Sequence, residues 1–123
     1  MEGRVNIIQH LNKDIIYADY SGLTGKEFEK VIDQYYSTVK NLIAQGKSDL
    51  LIILNVKGVS LNMELWKKSQ RIRKDLAPYV KGLAVIGVTG LKKYFMDVTD
   101  RMTKLNQKVF NSFEEAKRWL VKL

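Results

Sequence analysis

Apolar positions along the chain switch repeatedly between two spacings. Near the start, "RVNIIQH" (4–10) and "DIIYADY" (14–20) are short apolar-rich runs separated by the turn-forming stretch Leu11 to Asp14. They predict a β-hairpin. From Thr24 the period lengthens. Phe28, Val31, Ile32, Tyr35, Val39, Leu42 and Ile43 recur at helical spacing and make one stripe. Thr24 and Glu27 have capping-box spacing at its beginning, and Gly46 stands where such a helix closes.

"DLLIILNV" (49–56) and "KGLAVIGV" (81–88) are continuously apolar and short, as strands covered on both faces are. Between them, Leu61, Leu65, Ile72 and Leu76 define a second helix that begins near Ser60 and stops near Pro78. Leu91, Tyr94, Phe95, Val98, Met102 and Leu105 line a third helix. A short "KVF" strand (108–110) precedes a last helix, opened by the Ser112/Glu115 capping box. Phe113, Ala116, Trp119, Leu120 and Leu123 share one sector of that helix.

The predicted order is β-β-α-β-α-β-α-β-α. It describes an α/β fold with a mainly parallel five-stranded sheet flanked by four helices. No Pro/Gly/Ser-rich linker interrupts the 123 residues, so a single domain over 1–123 is expected.

Composition removes several chemistries. The chain has no cysteine, which excludes disulfides, thiolate metal sites and a Cys nucleophile and suits a reducing compartment. His10 is the sole histidine, and one imidazole without neighbours makes no metal site. No cofactor motif is present; "GVTGLKK" lacks the phosphate-loop spacing. The apolar run Leu50 to Leu54 is too short to span a bilayer, and "MEGRVNIIQH" lacks a signal-peptide layout. A cytoplasmic protein is the expectation.

Charge changes the picture more. The formal net charge is +8, yet residues 1–61 balance seven cations against seven acids. Residues 62–123 set fourteen Lys/Arg against six acids and carry the whole excess. Such asymmetry favours an anionic partner, although a solvated lysine-rich surface gives the same count. No helix-turn-helix, RNP-type strand or zinc pattern points to nucleic acid.

Three stretches resemble the STAS domain (sulfate transporter and anti-sigma-factor antagonist), especially small stand-alone bacterial proteins grouped between STAS and CRAL-TRIO lipid-transfer domains. They are "IIYADYSGLT" (15–24), "LAVIGVTG" (83–90) and "VFNSFEEAKRWL" (109–120). The resemblance implies a non-catalytic fold used for switching, scaffolding or ligand binding. In anti-sigma-factor antagonists a serine at the start of the helix after the central strand is phosphorylated to turn partner binding off. Ser60 matches that position. The family's Asp followed by a Ser-Ser-Gly or Ser-Thr-Gly run is replaced here by Asn55-Val56-Lys57-Gly58-Val59-Ser60.

In an open parallel sheet, ligands meet the loops beyond the strand carboxyl ends. Lys57, Ser60, Thr89, Gly90, Lys92 and Lys93 are therefore the candidate ligand or anion site. Lys92 and Lys93 place cations in a first helical turn, where the helix dipole disfavours them; the plainer reading is two solvated lysines. Ser60 is open to three roles: helix N-cap, phosphoacceptor or ligand contact. On the second helix, Lys67, Arg71 and Lys74 share one face edged by Trp66. That face suits an acidic protein partner or peripheral contact with an anionic membrane surface, or it is solvated surface. The basic strand–helix edge suits an anionic small ligand, a lipid headgroup or an acidic protein. A homodimer is compatible with the sequence.

Overall fold

Strands β1 (Val5–His10) and β2 (Lys13–Asp19) form the expected hairpin around a two-residue turn. Leu11 and Asn12 both take left-handed backbone angles, φ 50° and 66°. Two consecutive positive φ values suit the right-handed twist of the flanking strands, which is why such tight turns join hairpins. The computed structural model of the chain describes residues 3–60, 62–88 and 105–123.

Helix α1 (Gly25–Ala44) follows, then β3 (Leu50–Asn55), α2 (Met63–Leu76), a short 3-10 turn at Ala77–Tyr79, β4 (Val80–Ile86), β5 (Gln107–Phe110) and α3 (Phe113–Val121). The five strands lie in sequence order, β1-β2-β3-β4-β5. The sheet is mixed: β1 runs antiparallel to β2, and the other three pairings are parallel. Three α-helices are seen among the described residues. The fourth, expected from Leu91 to Leu105, lies outside the described residues except for Leu105, which is buried and not helical.

Burial on both faces explains the continuous apolar runs. Residues Leu50 to Leu54 of β3 are all buried. Leu50, Ile52 and Leu54 join the layer beneath α1 and α2, together with Phe28, Val31, Leu65 and Leu76. Leu51 and Ile53 join the opposite layer, against Ala116 and Leu120 of α3. Side chains alternate across a strand, so a strand with a helix layer on each side must be apolar at every position. Each fully buried Leu or Ile contributes about 1.5–3 kcal/mol.

Gly82 lets α3 approach β4. A Cβ there would run into the Leu123 side chain and lie 3.2 Å from that of Leu120. The helix packs on the strand through that gap.

Two helix starts differ from expectation. Thr24 precedes α1 in extended conformation, but its side chain makes no capping hydrogen bond. The second helix opens later than Ser60. Asn62 is its N-cap, accepting from the Leu65 backbone N–H at 2.8 Å. The Ser60 N–H instead donates to the Leu23 carbonyl at 3.3 Å, which ties it to a neighbouring loop outside the helix. Two signals held. Gly46 closes α1, its N–H donating to Ile43 O while Lys47 N–H reaches Leu42 O, the paired bonds of a Schellman motif. Ser112 caps α3, accepting from Glu115 N–H at 3.2 Å.

Candidate functional site

The parallel strands β2, β3 and β4 end side by side at Asp19, Asn55 and Ile86. Beyond them the loops are joined by backbone hydrogen bonds. Tyr20 N–H donates to Asn55 O at 2.8 Å, Gly22 N–H to Lys57 O at 2.9 Å, and Val56 N–H to Ile86 O at 2.9 Å. The loops after β2 and β3 therefore continue the sheet for a few residues and form one layer. Their backbone groups are largely satisfied, as an ordered edge requires.

Side chains fix the same layer. Asn55 donates to the Tyr17 hydroxyl at 3.2 Å and accepts from Lys57 N–H at 3.1 Å. Asp19 accepts from Ser21 N–H at 3.0 Å, a bond that closes the turn after β2. The Arg4 guanidinium lies 3.7 Å from the Asp19 carboxylate and donates to the Asp19 and Ser21 carbonyls at 3.2 and 2.9 Å. Sequence reasoning passed over Arg4. It lies fifteen residues from Asp19, and only the hairpin register brings the two together.

Leu23 and Val59 are buried and anchor their loops. Lys57 and Ser60 consequently face solvent on either side of Val59. Lys57 makes no ion pair among the described residues. Gly87 backs onto it, with φ 85° and no room for a side chain. Thr89, Gly90, Lys92 and Lys93, the remaining members of the expected anion site, lie outside the described residues.

Helix α2 carries the second candidate surface, and its two flanks differ in charge balance. On the flank toward α1, Lys68 contacts Glu29 at 3.1 Å and Asp33 at 2.7 Å. The hydrogen bond to Asp33, with Glu29 assisting, raises the Lys68 pKa above its ordinary value. Asp75 accepts from the Tyr36 hydroxyl and lies 3.6 Å from the Lys40 ammonium. The acids of this seam are thus matched by cations. Lys67, Arg71 and Lys74 point outward, exposed, with no ion pair among the described residues. Met63 is 57% exposed and Trp66 half-buried.

A shallow cleft of about 360 Å³ occupies the opposite end of the sheet. Lys13, Lys47 and Lys81 line it with Asp14 and Asp49, so its charge is nearly balanced. Sequence reasoning did not find it, because its walls come from four separate segments. No helix among the described residues is long and apolar enough to cross a membrane.

This α/β architecture, a mixed five-stranded sheet with helices on both faces, is that of the STAS superfamily. The chain belongs to the SpoIIAA-like family, whose sequence model matches residues 15–121. It is similar in structure to an uncharacterized protein from the DUF3478 family of Shewanella loihica PV-4, which has a SpoIIAA-like fold. The TM-score is 0.73 at 17% identity, over 94% of this chain and 91% of that one. No curated protein matches the sequence significantly.

Proposed function

We propose that residues 1–123 act as one non-enzymatic binding and regulatory domain in the cytoplasm. It engages an acidic protein surface through the outer face of α2 and the loop that leads into it. Lys67, Arg71 and Lys74 supply the cations on the helix, and Lys57 extends them toward the sheet edge. The observation that carries this reading is the contrast within one helix. Lys68 is held by two carboxylates, whereas Lys67, Arg71 and Lys74 meet none among the described residues. Cations left on a rigid face without intramolecular partners favour complementary charge from outside.

The test is protein capture at low and moderate salt with the wild type and Lys67→Glu/Arg71→Glu/Lys74→Glu. Salt-sensitive capture lost in the charge-reversed variant supports the reading. Capture that is unchanged by the reversal overturns it. Anionic vesicles in the same assay separate a lipid headgroup from a protein surface. Salt-dependent pelleting with vesicles, lost on Lys67→Glu/Arg71→Glu, would move the assignment to a membrane-surface lipid-binding role.

A second reading rests on Ser60. It is exposed, pinned through its backbone to Leu23, and precedes α2 with Lys57 three residues before it. A phosphate added there would lie near a helix N-terminus and a cation, an arrangement that stabilises it. The switch requires that Ser60→Asp alter partner capture; a variant indistinguishable from wild type removes it. The anion-site proposal for Thr89, Gly90, Lys92 and Lys93 is tested by thermal shift with inorganic phosphate. Equal shifts in wild type and Lys92→Ala/Lys93→Ala reject it.

A further inference from the structure

The two edges of the sheet are built differently. Strand β5 has four residues and carries exposed Lys108. Strand β1 has six residues, pairs with β2 in unbroken register from Val5 to His10, and contains no Lys, Arg, Asp, Glu or Pro. Charges, prolines and bulges are the usual means of blocking edge-to-edge pairing, and β1 has none of them.

Its outward backbone groups can be assigned. Asp19 N–H donates to Arg4 O at 2.8 Å, so Arg4 and Asp19 are a hydrogen-bonded pair. Antiparallel pairs alternate, so Asn6, Ile8 and His10 also bond to β2, while Val5, Ile7 and Gln9 direct N–H and C=O away from it. Those three residues are symmetric about Ile7, which is 48% exposed despite its size.

We propose that β1 is a self-pairing edge. Two copies of the chain join antiparallel through β1 about a two-fold axis at Ile7. In this register Ile7 faces Ile7 of the second copy, and Val5 faces Gln9. All three outward donors and all three outward acceptors of each strand are then used. The two five-stranded sheets become one continuous sheet.

A second copy fits this edge for two reasons. An antiparallel copy centred on Ile7 uses every outward group and sets the two exposed Ile7 side chains against each other, the self-complementarity a two-fold interface demands. The charge distribution permits it as well. The +8 excess resides in residues 62–123, whereas residues 1–61 are neutral and the paired strands carry no charge to repel. The proposal is independent of the α2 reading, since it uses the β1 edge and none of the α2 residues.

The 123-residue chain contains no cysteine, which makes register mapping direct. In the proposed pairing, position 7 meets itself at a Cα separation of about 5.5 Å, within disulfide range. Position 11, at the exposed hairpin tip, would be about 27 Å from its counterpart, eight residues of strand rise. Under mild oxidation Ile7→Cys should become a covalent dimer, while Leu11→Cys stays largely monomeric. By sedimentation, wild type should show a concentration-dependent dimer. Ile7→Lys should raise its dissociation constant by about tenfold or more, because like charges then face each other. Thermal melting checks that Ile7→Lys remains folded, and the two cysteine variants decide the matter if it does not. A wild type that stays monomeric overturns the proposal. So does a dimer in which Ile7→Cys and Leu11→Cys crosslink equally, or one that a folded Ile7→Lys leaves intact.

Discussion

Gly87 and Lys57 meet backbone to backbone, so closely that a Cβ on Gly87 would lie 2.6 Å from the Lys57 nitrogen. That contact holds the loop after β3 against the end of β4. It thereby fixes where Lys57 and Ser60 reach solvent. The φ of 85° at Gly87 is itself one that a side chain disfavours.

Gly87→Ala is therefore expected to destabilise the protein by about 2 kcal/mol or more, from left-handed backbone strain plus a clash with a main chain that cannot rotate aside. Chemical denaturation measures it. A midpoint equal to wild type would show that the loop yields and does not set the edge.

The two serine and asparagine positions before α2 separate cleanly. Asn62→Ala should cost about 1 kcal/mol, because it removes the acceptor of the Leu65 N–H. Ser60→Ala should stay within about 0.5 kcal/mol of wild type, its side chain being exposed and outside the cap. Equal losses at both positions would return the capping role to Ser60.

Leu120 is completely buried at the contact of α3 with β3 and β4. Leu120→Ala should cost about 2–5 kcal/mol through lost burial and a residual cavity. A loss well under about 1 kcal/mol, read from urea unfolding, would mean that α3 is not part of the cooperative core.

Asp75 supplies a pH signature. The hydrogen bond from Tyr36, followed by the nearby Lys40 charge, lowers its pKa below the ordinary value of 3.8. A carboxylate with a depressed folded-state pKa stabilises the protein above its unfolded value, and the contribution disappears as pH falls through the folded one. Asp75→Asn should therefore flatten the stability-versus-pH curve below about pH 4 and leave the slope near neutrality unchanged. Both partners are solvated, so the effect will be small. Identical acid limbs in wild type and variant would remove the interaction from the solution state.

Much of this fold was legible in one dimension, for reasons tied to particular residues. Phe28, Val31, Ile32, Tyr35 and Val39 repeat at helical spacing and are all buried on α1. Leu50 to Leu54 lack any polar position and form a strand with helices on both sides. Gly46 and Ser112 mark the helix ends they were expected to mark. These signals are local: periodicity and end chemistry act over a few residues, and the chain carries them wherever it goes.

The helix caps show where local signals compete. Thr24 and Ser60 are good capping residues by type, yet neither side chain caps a helix here. Asn62 ranks as high by type, and it prevailed over Ser60 because Leu23 holds the Ser60 backbone across the loop layer. That contact joins positions far apart in sequence and leaves no mark in the run "NVKGVSLN".

Sequence alone determined the order of the strands and helices among the described residues, the two-faced burial of β3 and β4, and the charge asymmetry between the halves. Tertiary structure alone decided which cations find carboxylate partners among the described residues. Lys67 and Lys68 are adjacent and chemically identical, yet the packing of α1 on α2 gives Glu29 and Asp33 to Lys68 and turns Lys67 outward. A helix advances about 100° per residue, so neighbours in sequence face different partners, and only the assembled layers fix which partners those are.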